Sequence, residues 1–267
     1  FLCRMSGGDD SLNIGISAIS FYFPKRFVRQ SELEKAHGVS SGKYTVGLGQ
    51  TEMAFCGDDE DVVSLSLTVT QMLLEEYEID PSTIGFLSVG TETLIDKSKS
   101  VKTELMRLFG DNTDIEGVDV KNACYGGTQA VFHAVDWMQA NHRVDGRYAI
   151  AVLADIAVYE EGPARCTGGA GAVAVLISPQ SPLVFDRGLR ACHMTAAWDF
   201  FKPVGVRNSE YPVVSGKDSL NSYISSLLSC YSTYRNKAKK LTGTAEVSIA
   251  DFSAALFHSP FAKLVRK

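Results

Sequence analysis

Along residues 13–190 the apolar positions follow two rhythms. Short runs with strand character occur at NIGISAISFYF (13–23), IGFLSVGT (84–91), IEGVDV (115–120), RYAIAVLAD (147–155), AGAVAVLIS (170–178) and PLVFDRGLR (182–190). Helical spacing fills the gaps between them. SELEKAHG (31–38) predicts a short helix capped by Ser31 and closed at Gly38. Residues 58–80 begin acidic, which suits the positive end of a helix dipole, and place Val62, Leu65, Val69, Met72 and Leu73 on one face. Further helices are predicted over 99–110 and 124–140. The near-continuously apolar strands predict an α/β protein with a buried, mainly parallel sheet and helices on both faces. After residue 190 the pattern loosens into an aromatic, proline-bearing stretch (193–217), a long helix (218–241) and a strand over 253–257 that opens another βα unit. The chain therefore divides into 13–190 and 191–267.

The 267 residues are 45% hydrophobic and 21% charged, enough to bury a core of one large domain or two small ones. A net charge of -5 argues against a nucleic-acid partner, and no apolar run approaches the length of a membrane span. The six cysteines form no CxxC pair and are too sparse for a disulfide framework, which predicts a reducing compartment and no metal site. The chain begins FLCRM without an initiator Met, so an incomplete N-terminus is expected. VGLGQTE (46–52) and TGGAGA (167–172) lack the context of a dinucleotide or phosphate loop and predict tight turns or close approach to a ligand.

The candidate chemistry centres on NACYGGTQA (122–130), where Cys124 falls at a strand-to-helix junction. The unpaired N–H groups and dipole of a helix start lower a thiol pKa and can hold an oxyanion. Gly126 and Gly127 would let backbone and substrate come close. An inert structural thiol is the alternative, and the local pattern leaves both open. Glu92 and His258 each sit where a predicted strand ends, the usual place for ligand sites in α/β sheets. Taken singly, each fits a solvated carboxylate or a packed histidine; together with Cys124 they form a set able to run acid–base and nucleophilic chemistry.

The stretches NACYGGTQA, VGTETLIDKSKSVK, GKYTVGLGQ, DGRYAIAVLADIAVY, TGGAGAVA, FDRGLR, SEYPVV and LFHSPFAKLV occur in this order. Together they resemble the eukaryotic type of hydroxymethylglutaryl-CoA synthase, from about residue 13 to the last residue. The resemblance implies a thiolase-like fold of α-β-α-β-α layers, its first half complete (13–190) and its second half begun in 191–267. It also implies condensation of acetyl-CoA with acetoacetyl-CoA through an acetyl thioester on Cys124. Glu92 matches the general acid/base, and His258 the histidine that binds and polarises acetoacetyl-CoA. Asp96, Asp155 and Asp199 match supporting acidic residues, and Tyr125, Thr167 and Phe200 match pocket residues. Lys263 and Lys267 fall in a stretch that approaches CoA.

No metal or prosthetic group is implied, CoA entering only within the substrates. A homodimer is expected, in the cytoplasm or, alternatively, the mitochondrion. The chain departs from the family pattern at Cys166 (usually proline), at Ser215 (usually aspartate) and in a longer VGVRN loop (204–208). Family members continue well past LFHSP. A partial sequence, poorly soluble and close to inactive by itself, is therefore expected. A ketoacyl synthase and a non-catalytic binding or dimerisation module are the competing readings.

Overall fold

The computed structural model describes residues 12–186, 188–202, 211–243 and 247–266. Its centre is a six-stranded sheet built from β1 (Gly15–Tyr22), β4 (Ile84–Gly90), β5 (Asp119–Val120), β6 (Tyr148–Ala157), β7 (Gly169–Ser178) and β8 (Leu183–Val184), in the order β5-β4-β6-β7-β1-β8. Only β5–β4 and β4–β6 pair in parallel; β6–β7, β7–β1 and β1–β8 are antiparallel. The sheet is thus mixed rather than mainly parallel. The reason is the connection between β6 and β7 (158–168), which holds a 3-10 turn (Arg165–Thr167) but no crossover helix, so the chain returns antiparallel.

Alternate residues of β6 explain why it reads as continuously apolar. Ile150, Val152 and Ala154 join a core on one face with Leu65, Val69 and Leu73 of α2 (Val62–Glu76). Ala149 and Ala151 join the opposite core with Ala130, Ala134, Val135 and Met138 of α4 (Tyr125–Asp145). The period of two buries both faces because a helix covers each one. α2 starts one turn later than the acidic run suggests. Asp61 caps it, accepting from the Ser64 N–H at 2.7 Å while Ser64 Oγ accepts from the Asp61 N–H at 2.8 Å. α4 ends at Gly146, whose φ of 77° is the left-handed stop that glycine takes most easily.

Other expectations shift. α1 (Gln30–Ala36) begins at Gln30, with Arg29 at the cap and no side-chain bond there, so Ser31 is inside the helix. A hairpin-like pair, β2 (Arg26–Arg29) with β3 (Glu52–Phe55), escaped the pattern because 22 residues separate its halves. The loop between them is gathered by buried Glu34 of α1. Its carboxylate accepts from the N–H groups of Gly42 (2.9 Å), Tyr44 (2.7 Å) and Thr45 (2.8 Å). α3 (Val101–Leu105) continues only as a short 3-10 turn.

Among the described residues of 182–190, Leu183–Val184 alone pair as a strand, at the sheet edge. β9 (Phe200–Phe201) and β10 (Val213–Val214) form a separate two-stranded sheet. α5 (Gly216–Thr242) is the expected long helix, with Ala238 its one buried residue among those described. The strand expected over 253–257 does not form: of these residues only Ala255 makes a bridge.

The start of α4 is pressed onto the sheet. A Cβ on Gly126 would lie 2.6 Å from the Val120 carbonyl oxygen, which is backbone and cannot swing away. Gly126→Ala should therefore lower stability by about 2 kcal/mol or more, read as a fall in the denaturant midpoint. An unchanged midpoint would show that α4 can lift off β5 at no cost.

Candidate active site

Three adjacent parallel strands end side by side, and each delivers part of one cluster. β5 leads into Cys124, the residue that caps α4. β4 runs out at Gly90 and is followed by Thr91, Glu92 and Thr93. β6, on the far side of β4, carries Asp155 near its end. The order β5-β4-β6 puts the thiol and the two carboxylates together at the carboxyl ends of the strands.

Asp155 is the organiser of this cluster. Its Oδ1 accepts from the Glu92 N–H at 2.8 Å, the Thr93 N–H at 3.2 Å, and the Thr91 and Thr93 hydroxyls, each at 3.1 Å. Thr93 Oγ1 in turn accepts from the Ile156 N–H at 2.9 Å, locking the turn after β4 onto β6. Burial raises the Asp155 carboxyl; the Glu92 N–H and the threonine hydroxyls oppose that shift. Burial also raises Glu92, opposed by the Lys202 ammonium and reinforced by the Asp155 charge. Lys202 Nζ lies 3.9 Å from Glu92 Oε1.

Cys124 presents an exposed edge to solvent, and its side chain makes no cap bond. Ala123 before it has φ of 39°, a left-handed conformation that costs a non-glycine residue of order 1 kcal/mol and often marks functional turns. The thiol is not activated in the way the helix start suggested. Crowding by the surrounding protein, then the charges of Glu92 and Asp155, push it up to about 11. Its own N–H and Lys202 pull the other way without winning.

The expected oxyanion donors also differ. The Tyr125 N–H is bonded to the Asn122 carbonyl at 2.9 Å and the Gly126 N–H to the Asn122 and Ala123 carbonyls at 3.1 and 3.3 Å. The Cys124 N–H, already facing the sulfur, is the donor best placed for a negative charge there. The glycine pair serves helix docking rather than substrate approach, since Gly126 meets Val120 and Gly127 meets Leu153.

The other expected residues make the following contacts. Tyr125 follows Cys124 and donates to Gln129 Oε1 at 2.6 Å. Asp96 sits in a turn where its Oδ1 accepts the Ser98 and Lys99 N–H groups at 2.7 Å; these bonds, Lys99 first, hold its carboxyl below the ordinary range. Asp199 accepts the Ser215 N–H on its carbonyl, and Phe200 pairs with Val214 in β9.

Thr167 donates to the Ala164 carbonyl at 2.7 Å and lines a cavity of about 470 Å³ with Phe23, Phe27, Gln50, Met53 and Pro260. His258, two residues before Pro260, sits in a segment without regular secondary structure and accepts from the Tyr223 hydroxyl on its carbonyl at 2.8 Å. Burial lowers its imidazole. No hydrogen bond or ion pair joins it to Cys124 or Glu92 among the described residues. The Lys263 N–H is bonded to the Leu48 carbonyl at 3.0 Å. Lys267 and the 204–208 loop lie outside the described residues.

Sequence reasoning missed two members. Lys202 was present as the FKP lysine, but no spacing rule ties it to Glu92 across 110 positions. Tyr159, just past β6, is raised to about 12 by burial and then by Cys124 and Glu92, and its phenol faces Thr167.

Replacing Glu92 by Gln removes a negative charge beside the thiol, so the Cys124 pKa should fall. Alkylation of Cys124 by iodoacetamide at pH 8 should then be about threefold to tenfold faster, because each unit of pKa changes the thiolate fraction tenfold. An unchanged rate would mean that the carboxylate does not reach the sulfur.

A family model described as "Hydroxymethylglutaryl-coenzyme A synthase N terminal" matches residues 11–182, and its C-terminal companion matches 183–267. The hydroxymethylglutaryl-CoA synthase of Caenorhabditis elegans is 56% identical over 255 residues, covering 96% of this chain and 55% of its own length. The cytoplasmic enzyme of Mus musculus is 55% identical over 261 residues, covering 96% and 50%. The chain thus spans about half the length of the curated relatives it matches. Among solved structures, MvaS in complex with 3-hydroxy-3-methylglutaryl coenzyme A superposes with a TM-score of 0.88 at 37% identity, over 95% of this chain and 61% of that one. An HMG-CoA synthase complexed with CoA gives 0.83 at 26%, over 95% and 62%. With a thiol and two carboxylates gathered at the strand ends and a family model covering residues 11–182, the chain belongs to the hydroxymethylglutaryl-CoA synthase family.

Proposed function

We propose that the protein containing this chain condenses acetyl-CoA with acetoacetyl-CoA and water to give hydroxymethylglutaryl-CoA and CoA. The observation that carries the proposal is the placing of Cys124 beside a carboxyl group, Glu92, whose affinity for protons is raised by burial. The Cys124 sulfur attacks the thioester carbonyl of acetyl-CoA. The C–S bond to coenzyme A breaks, and the departing sulfur leaves as a thiol with the proton from Cys124. A methyl proton of acetyl-Cys124 then passes to Glu92, and the carbon so freed adds to the ketone carbon of acetoacetyl-CoA. The new alkoxide takes a proton back from the Glu92 carboxyl. Water finally cleaves the acyl–Cys124 thioester, restoring the thiol and forming the product carboxylate.

A carboxyl raised by burial suits both halves of this task, because it takes up a proton more readily than an exposed carboxylate and can return it. The raised thiol pKa fits it as well: Cys124 rests as a neutral thiol, so acylation is coupled to loss of its proton. Asp155 acts as the anchor of the Thr91–Thr93 turn. His258, Tyr125, Thr167, Asp199 and Phe200 enter the proposal as residues that receive acetoacetyl-CoA, and Lys263 and Lys267 as residues near CoA, all on the strength of the family resemblance. Asp96 enters through its turn rather than its charge.

No metal or prosthetic group is part of this reading. A homodimer is, again by resemblance. Placement in the cytoplasm follows the naming of the mouse relative; no described helix is long and apolar enough to cross a membrane.

The test is the mass of the Cys124 peptide after brief exposure of the full-length protein to acetyl-CoA and an acid quench, with Cys124→Ser as control. An acetyl group on Cys124 that disappears when acetoacetyl-CoA is added is the expected result. A folded full-length protein whose Cys124 takes up no acetyl group would end the synthase reading.

A further inference from the structure

Burial disfavours the ionised form of Glu92, and Asp155, facing it from β6, adds a second negative charge. Cys124 at the start of α4 and Tyr159 past β6 are neutral acids close enough to feel the Glu92 charge. The counterweight is Lys202, at the end of β9, with its ammonium 3.9 Å from Glu92 Oε1. Both side chains are largely enclosed, 20% exposed for Lys202 and 11% for Glu92. Charges shielded to this degree act on one another more strongly than an exposed surface pair does. Lys202 is also the one cation, among the described residues, whose charge acts on Glu92, Asp155 and Cys124 alike.

The lysine is held by backbone rather than by chance. Phe201, its neighbour in β9, pairs with Val213, and Phe200 pairs with Val214, so a two-stranded ladder delivers the ammonium to the carboxylate. The two partners come from different parts of the chain. Glu92 lies within the residues matched by the N-terminal family model and Lys202 within those matched by the C-terminal one.

We infer that Lys202 is a positioning residue that keeps Glu92 in its base form between turnovers. The inference rests on the condensing role proposed for Glu92. Before proton transfer the ammonium faces the Glu92 carboxylate. When a methyl proton moves to Glu92, the C–H electron pair becomes the enolate, the carboxyl turns neutral and the negative charge passes to the substrate oxygen. Lys202 then retains an anion nearby on either side of the step, which limits the cost of moving charge in an enclosed site. Without it, burial and the Asp155 charge would raise the Glu92 carboxyl further, and a protonated Glu92 cannot take the methyl proton.

The experiment compares Lys202→Met and Lys202→Arg with wild type in the full-length protein, by two readouts. The first is the acid limb of kcat/KM against pH. A carboxyl raised further by loss of the ammonium needs a higher pH to ionise, so the limb should move up by about one unit or more in Lys202→Met. Lys202→Arg keeps the charge and should hold the limb near its wild-type position. The second is the iodoacetamide rate of Cys124 against pH, which needs no turnover; the same loss of positive charge should raise the thiol pKa and slow alkylation several-fold at pH 9 in Lys202→Met alone.

A Lys202→Met protein whose activity falls equally at every pH, with both profiles in place, would overturn the inference and leave Lys202 a structural residue. If wild-type Cys124 is not acetylated at all, the synthase reading fails. The alkylation profile then still decides whether Lys202 sets the charge of the cluster.

Discussion

The site depends on a close backbone approach. The first turn of α4 lies against the end of β4 so tightly that a Cβ on Gly90 would stand 2.3 Å from the Gly127 Cα. A side chain at Gly90 would keep the helix from starting there. That contact fixes where Cys124 can be: at the cap of α4, level with the turn that follows β4. Asp155 then ties this turn to β6 through four hydrogen bonds on one carboxylate oxygen. The carboxyl group of Glu92 and the thiol of Cys124 are neighbours because two backbones meet and a third strand holds one of them in place.

The electrostatics of the cluster follow from this geometry. Two carboxylates and a thiol share a partly enclosed space with one ammonium. Each acid is raised by burial, and the thiol is pushed up to about 11 by burial and by both acids. A helix start favours an anion by a fraction of a charge, whereas a neighbouring carboxylate opposes it with a whole one. The thiol therefore stays protonated, and the helix dipole is the weaker term.

Much of this was legible in the sequence, and what was not has definite causes. The period-two runs of β1, β4, β6 and β7 and the helical spacing of α2 and α4 are local signals, and the elements appear close to where the pattern puts them. Strand direction is not a local signal, so the antiparallel β6–β7 return was read as part of a parallel series. The pairing of β2 with β3 and the ion pair of Lys202 with Glu92 join residues far apart in the chain, and no spacing rule reaches them. Cys124 and Glu92 were found because each follows a strong strand signal, and Asp155 came with the resemblance. His258 was placed by an apolar run that forms no strand, and among the described residues no hydrogen bond or ion pair joins it to Cys124 or Glu92. The sign of the thiol shift was misread because sequence shows the helix start but not the carboxylates folded against it.

The account's central claim is that Cys124 rests as a neutral thiol and gives up its proton only during acyl transfer. The most direct measurement is a titration of its thiolate by ultraviolet difference absorbance, wild type against Cys124→Ser. The account predicts ionisation near pH 11. Ionisation at or below the ordinary thiol value of about 8.5 would contradict it and restore the helix start as the dominant influence on the nucleophile.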